Sequence, residues 1–126
     1  LIKYVPERNM EGKMVKLETF LLLLDSIDEE IVLADTNHKI VFMNRRALEE
    51  YKDRGGKSLI GKSIFDCHNE NSKKTILEVY ERLKNGEDEV ELKSTTSVRT
   101  FVRSVRDHSG NLIGYFERFE KNNTKD

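Results

Sequence analysis

Leu24-Asp25-Ser26-Ile27-Asp28-Glu29-Glu30-Ile31-Val32-Leu33-Ala34-Asp35-Thr36-Asn37-His38-Lys39-Ile40-Val41-Phe42-Met43-Asn44 decides the fold of this 126-residue chain. Two apolar, largely β-branched runs flank Asp35 to Lys39, a segment of residues that form turns or accept positive φ, so the stretch predicts a hairpin. The second run ends in Asn44 and passes straight into Arg45-Arg46-Ala47-Leu48-Glu49-Glu50-Tyr51, a helical pattern. Both strands are apolar on both faces, which predicts a sheet covered on two sides.

Working outward, Met10, Met14, Leu17, Leu21 and Leu24 recur at heptad-like spacing, and Phe20, Leu23 and Ile27 form a second apolar stripe beside them. The pattern predicts an amphipathic helix over 10–27 after a loose lead-in over 1–9, which contains the single proline. Downstream, Ser72 to Asn85 places Ile76, Val79, Tyr80 and Leu83 on one face of a helix. Asn71 or Ser72 is expected to cap its start, and Asn85-Gly86 to stop it in the left-handed region. Three strands are expected near 88–94, 98–107 and 112–120, the first two joined by a short turn at Thr95-Thr96-Ser97, with a polar tail over 121–126.

This order resembles the PAS domain family. The hairpin is similar to the family's opening pattern, an isoleucine-valine run, an aspartate turn and a second strand closing on N-x-x-A, here Asn44 to Ala47. Ile60-Gly61-Lys62-Ser63-Ile64-Phe65, Leu83-Lys84-Asn85-Gly86-Glu87 and Val105-Arg106-Asp107-His108-Ser109-Gly110-Asn111-Leu112-Ile113-Gly114-Tyr115 match later family segments in order. The resemblance implies an α+β PAS fold over 28–120: a five-stranded antiparallel sheet with helices on one face and an N-terminal helix on the other. It implies a ligand pocket between sheet and helices, with Leu33, Phe42, Cys67, His68, Ile76, Tyr80, Val102 and Tyr115 as candidate lining. It also implies sensing rather than enzymatic chemistry, and a homodimer through the N-terminal helix at Met10, Met14, Leu17, Leu21 and Leu24.

Composition is consistent with one domain and narrows the partners. Charged residues make up 36% against 37% hydrophobic, and 22 basic side chains nearly balance 23 acidic ones, so no global field attracts nucleic acid or an anionic membrane. A single cysteine excludes an internal disulfide and suits a reducing, cytoplasmic setting. No apolar run approaches the roughly 20 residues of a membrane helix. The chain starts at Leu1 without a methionine, as an excised fragment would.

The densest chemistry lies in Phe65-Asp66-Cys67-His68-Asn69-Glu70-Asn71-Ser72. It is similar to a C-H-x-x-x-S segment in a subset of bacterial and archaeal PAS domains, including those joined to hemerythrin-like domains. Three readings stand side by side. In the first, Cys67 is a small buried group and His68, Asn69 and Ser72 bind backbone at a helix start. In the second, His68 or Cys67 ligates a haem iron; the proximal histidine of PAS haem sensors would align near Thr75, and this helix has no histidine. In the third, Cys67 and His68 make a nucleophilic or redox pair, although adjacent side chains in extended backbone point apart. The chain lacks the cysteine motif of flavin-binding blue-light PAS domains. A zinc site would have to draw on Cys67, His38, His68 and His108, scattered over separate elements. His38 and His108 fall in the two hairpin turns, where exposure is expected. Arg99, Arg103 and Arg106 are candidates for an anionic ligand group, Arg103 sharing a strand face with Phe101 and Val105. A ligand-free dimerisation module, its core filled by Phe65, Tyr80, Phe101, Tyr115 and Phe116, is the alternative to a ligand sensor.

Overall fold

The computed structural model describes residues 4–5, 15–67, 69–92 and 97–121. Strands β1 (Tyr4–Val5) and β2 (Val15–Lys16) pair antiparallel ahead of helix α1 (Leu17–Ser26). Helix α1 therefore begins at Leu17, not near residue 10, because Val15 and Lys16 are drawn into extended pairing with Tyr4 and Val5. The same pairing gives Tyr4–Val5 regular structure where a loose lead-in was expected; Met10 and Met14 lie outside the described residues.

The hairpin is formed by β3 (Val32–Asp35) and β4 (Ile40–Met43), followed by α2 (Arg45–Glu50), three 3-10 turns between Lys52 and Cys67, and the long helix α3 (Glu70–Lys84). Strands β5 (Glu89–Glu91), β6 (Val98–Arg106) and β7 (Leu112–Lys121) complete a five-stranded antiparallel sheet in the order β4-β3-β7-β6-β5. The exposed edge of β4 is covered by the segment that joins the second 3-10 turn to the third: Ile40 N donates to Lys62 O, Gly61 N to Ile40 O, and Ile64 N to His38 O.

Helix α3 starts at Glu70, two residues before Ser72, since Asn69 takes the cap in place of Asn71 or Ser72 and its side chain accepts from Ser72 N. Its end is as expected, with Gly86 at φ 110°. The side chain of Arg106 adds a second closure there, donating to the carbonyls of Leu83 and Glu87. Gly114 is set by close approach: a Cβ at this position would lie 2.5 Å from Ala34 O across the β3–β7 pair.

The core sits between the sheet and α2, α3 and the 3-10 turns, with Ala34, Ile40, Met43, Ala47, Val79, Leu83, Val90, Val102 and Tyr115 buried. On the opposite face Arg118 forks onto Glu89 at 2.6 and 2.7 Å and stacks 4.2 Å over Phe101, while Arg99 pairs with Glu91 and Arg103 with Glu89. Helix α1 packs against β2 and α2 and has no buried residue. Leu22 and Leu23 are more than half exposed, and Leu17, Phe20 and Leu21 are exposed beside them. No helix among the described residues is long and apolar enough to cross a membrane.

Candidate functional site: a small cavity under the sheet

Between the sheet and α3 lies a cavity of about 170 Å³. Strands supply Val32, Ala34, Ile40, Met43, Val102 and Tyr115; α3 supplies Ile76, Val79, Tyr80 and Leu83. Four expected residues, Ile76, Tyr80, Val102 and Tyr115, are thus brought together. Leu33 and Phe42 are not: they face each other across the pair on the sheet's other side, and Val32, Ala34, Ile40 and Met43 take their place. The cause is a β-bulge. Ala34 pairs with Ile40 but Leu33 with Phe42, leaving Val41 as the extra residue, so Ile40 and Met43 both turn inward although they are an odd number of positions apart. His68 and the side chain of Cys67 lie outside the described residues. Arg99 and Arg103 are held in ion pairs on the far face and Arg106 at the end of α3, so none of the three lines the cavity.

One end of the cavity is polar. The Tyr51 hydroxyl donates to Glu30 Oε1 at 2.9 Å, the Arg54 guanidinium lies 5.4 Å from the Tyr51 ring centre, and Glu117 of β7 completes the rim. Burial, then the bond to Glu30, raises the Tyr51 pKa far above that of a free phenol, so Tyr51 stays neutral and donating. Arg54 and Glu117 are exposed, which places this end at the surface.

Glu30 belongs to the linker between α1 and β3, and that linker is governed by Asn44. Asn44 has no solvent exposure. Its Oδ1 accepts from Ile31 N at 2.9 Å and from Ala47 N at 3.0 Å, the second bond capping α2. Its Nδ2 donates to Leu24 O at 2.9 Å and to Glu29 O at 3.0 Å. One amide therefore joins the end of α1, the linker that leads into β3, and α2, with every donor and acceptor used. Glu29 Oε1 extends the junction by accepting from Phe119 N of β7.

Tyr80 and Tyr115, both expected in the lining, pack against His38, whose burial the sequence did not reveal. His38 is not exposed in its turn: it is half-buried, with Nδ1 2.7 Å from the Tyr115 hydroxyl and its ring against Phe65, Tyr80 and Tyr115. It adopts φ 63°, a left-handed conformation uncommon outside glycine, and Asp35 holds the turn by accepting from Asn37 N and Lys39 N. Its position in a turn rich in Asp and Asn was legible; the direction of the ring depends on Tyr115, 77 residues away.

Burial lowers the His38 pKa, with the Asp35 charge opposing. The neutral ring has a tautomer in which Nδ1 accepts the Tyr115 proton, and protonation removes it. The unfolded chain takes up the proton first, near pH 6.5, so folding stability from this group is complete above that pH and falls as pH drops toward the lower folded pKa. Urea unfolding between pH 7.5 and 5.5 is expected to show this loss in the parent protein. His38→Asn, which tolerates the same backbone, should flatten that part of the profile; an unchanged slope would assign the loss elsewhere.

The PAS-domain family model matches residues 20–120. The chain belongs to the PAS domain family. Solved structures share the fold: the C-terminal domain of a Streptococcus mutans protein is 22% identical, with a TM-score of 0.72 over 94% of this chain and 91% of that one. A sensory box sensor histidine kinase from Vibrio cholerae is 14% identical, TM-score 0.55, over 82% of this PAS domain and 88% of its own chain. The Vibrio cholerae Aer2 receptor, a dual PAS-haem oxygen sensor, is 21% identical, TM-score 0.50, over 74% and 93%. No curated protein matches the chain. PAS domains are sensory modules, and the expected α+β architecture with its five-stranded antiparallel sheet is the one observed. The candidate haem ligands, His68 and the Cys67 side chain, lie outside the described residues; the described cavity of about 170 Å³ is the scale of a benzene-sized ligand, since a cavity of roughly 150 Å³ holds benzene. No cluster of three or more His, Cys, Asp or Glu suited to a metal occurs among the described residues.

Proposed function

We propose that this PAS domain senses a small molecule bound in the cavity and passes its occupancy to α1, and through α1 to a second copy of the chain. The observation that carries the reading is the position of Glu30. It lines the cavity, holds the Tyr51 hydroxyl, and lies in the linker that Asn44 ties to the end of α1. A ligand that displaces or reinforces the Glu30–Tyr51 bond acts one residue from Glu29 and Ile31, both bonded to Asn44. Two packings of α1 then differ in stability by the ligand's differential affinity, which is what a population shift requires. The exposed leucines of α1, with Phe20, supply an apolar surface for a homodimer. Leu17 and Leu21 are its centre and Leu24 its half-buried flank.

Benzene tests the cavity and a spin label tests the transmission. In a Cys67→Ser background, Leu22→Cys carries the label on the exposed side of α1. Saturating benzene should raise the melting temperature and change the label-to-label distance distribution within the dimer. Ile76→Phe, which fills the cavity, should suppress both effects. Leu17→Glu with Leu21→Glu should give a monomer by sedimentation. A melting temperature indifferent to benzene, or an unaltered distance distribution, would defeat the sensing mechanism.

A further inference from the structure

The polar side chains around the cavity are already committed to the protein. Three tyrosines are among the described lining residues, and each hydroxyl has an internal acceptor. Tyr51 donates to Glu30 Oε1 at 2.9 Å, Tyr115 to Nδ1 of neutral His38 at 2.7 Å, and Tyr80 to Thr36 O at the longer distance of 3.5 Å. The charged lining is engaged as well: Glu30 holds Tyr51, Arg54 lies over the Tyr51 ring, and Glu117 has a partner of its own. Arg54 is exposed at the rim, where water solvates its guanidinium. Burial raises the pKa of both Tyr51 and Tyr115, as poorly hydrated surroundings do. Between these groups the wall is aliphatic, with Val32, Ile40, Ile76, Val79 and Val102 among it.

We infer that the ligand is a small uncharged hydrocarbon-like molecule, about the size of benzene or toluene, with no group that requires a hydrogen bond. This inference rests on the cavity being a ligand site, as proposed above. A polar group entering this space gives up its water, and it must then stay unpaired or break a bond the protein already makes. Either outcome costs affinity. An apolar occupant instead excludes water from the Glu30–Tyr51 bond and strengthens it. The linker that Asn44 ties to α1 is then held more firmly when the cavity is full.

Toluene and phenol are nearly equal in size and differ by a methyl against a hydroxyl, so calorimetric titration of the protein with each isolates the polar group. Toluene should bind roughly tenfold or more tightly than phenol. Benzylamine and benzoate, which bring one charge of each sign, should each bind more weakly than toluene. Glu30→Ala takes the acceptor from Tyr51 and opens its hydroxyl to the cavity, so the affinity of phenol relative to toluene should rise several-fold. Adding Tyr51→Phe should cancel that rise. Phenol, benzylamine or benzoate binding the parent protein as tightly as toluene would overturn the apolar assignment and leave the cavity as a ligand site. A phenol-to-toluene ratio unmoved by Glu30→Ala would also overturn it, because the committed hydroxyls would then not set the preference. Failure of all four probes would remove the ligand site beneath it.

Discussion

Asn44→Ala is expected to destabilise the domain by about 3 kcal/mol, the largest effect of any single polar substitution in the described structure. The residue has no solvent exposure and its amide satisfies four backbone groups on three segments. Removing it leaves Ile31 N, Leu24 O and Glu29 O without this partner and takes the cap from α2, each loss costing about 1 kcal/mol. Part of the junction survives through Arg45 N donating to Asp25 Oδ1 and through the exposed Arg46–Asp28 pair at 3.7 Å, the second of which contributes little. Asn44→Asp separates the two halves of the amide. It keeps the acceptor for Ile31 N and Ala47 N but turns a carboxylate oxygen toward the carbonyls of Leu24 and Glu29, so it should cost at least as much as alanine. Urea unfolding measures both variants, and hydrogen exchange at residues 24–31 should accelerate more than exchange in β6. A loss below about 1 kcal/mol for Asn44→Ala would show that α1 is held to the domain by other contacts.

That junction also marks where sequence reasoning stops. Asn44 is visible in the chain as the letter that ends β4 and begins α2, and its capping role follows from the helix after it. Its bonds to Leu24 and Glu29 do not, because they depend on how the linker folds back 15 to 20 residues earlier. The same division runs through the cavity. Helix α3 is amphipathic, so Ile76 and Tyr80 could be assigned to the inner face from period alone. The strands β3 and β4 are apolar on both faces, and period 2 cannot choose between them; the bulge at Val41 then breaks the period itself. Hence Leu33 and Phe42 were expected inside and stand outside, while Val32 and Ile40, not among the expected lining, stand inside. The turn residues of the first hairpin were legible as a turn, but the left-handed His38 reads as an exposed polar residue until Tyr115 is placed beside it.

Leu83→Ala should cost about 3 kcal/mol and, unlike the loss of Asn44, should be partly recoverable by ligand. Leu83 is fully buried, lines the cavity from the last turn of α3, and its carbonyl accepts from Arg106. Truncation removes the side chain's transfer free energy and adds empty volume to a space that already exists, so the surrounding helix has little reason to collapse into it. The enlarged cavity should then take a two-ring probe that the parent site is too small to hold. Indole at a concentration tenfold above its dissociation constant would restore roughly 1.4 kcal/mol. Denaturation with and without indole gives both numbers, provided the urea slope stays that of the parent protein. Ile113→Ala, on the half-exposed side of β7, is the control and should change stability by less than about 0.5 kcal/mol. If Leu83→Ala is destabilised by the expected amount and indole restores nothing, the new volume is closed off from the cavity. If the loss is under about 1 kcal/mol, α3 has moved inward to fill it. Recovery by indole would establish that the position of α3 against the sheet sets the size of molecule the domain accepts, because Leu83 is the cavity residue nearest the point where Arg106 and Gly86 fix the end of that helix.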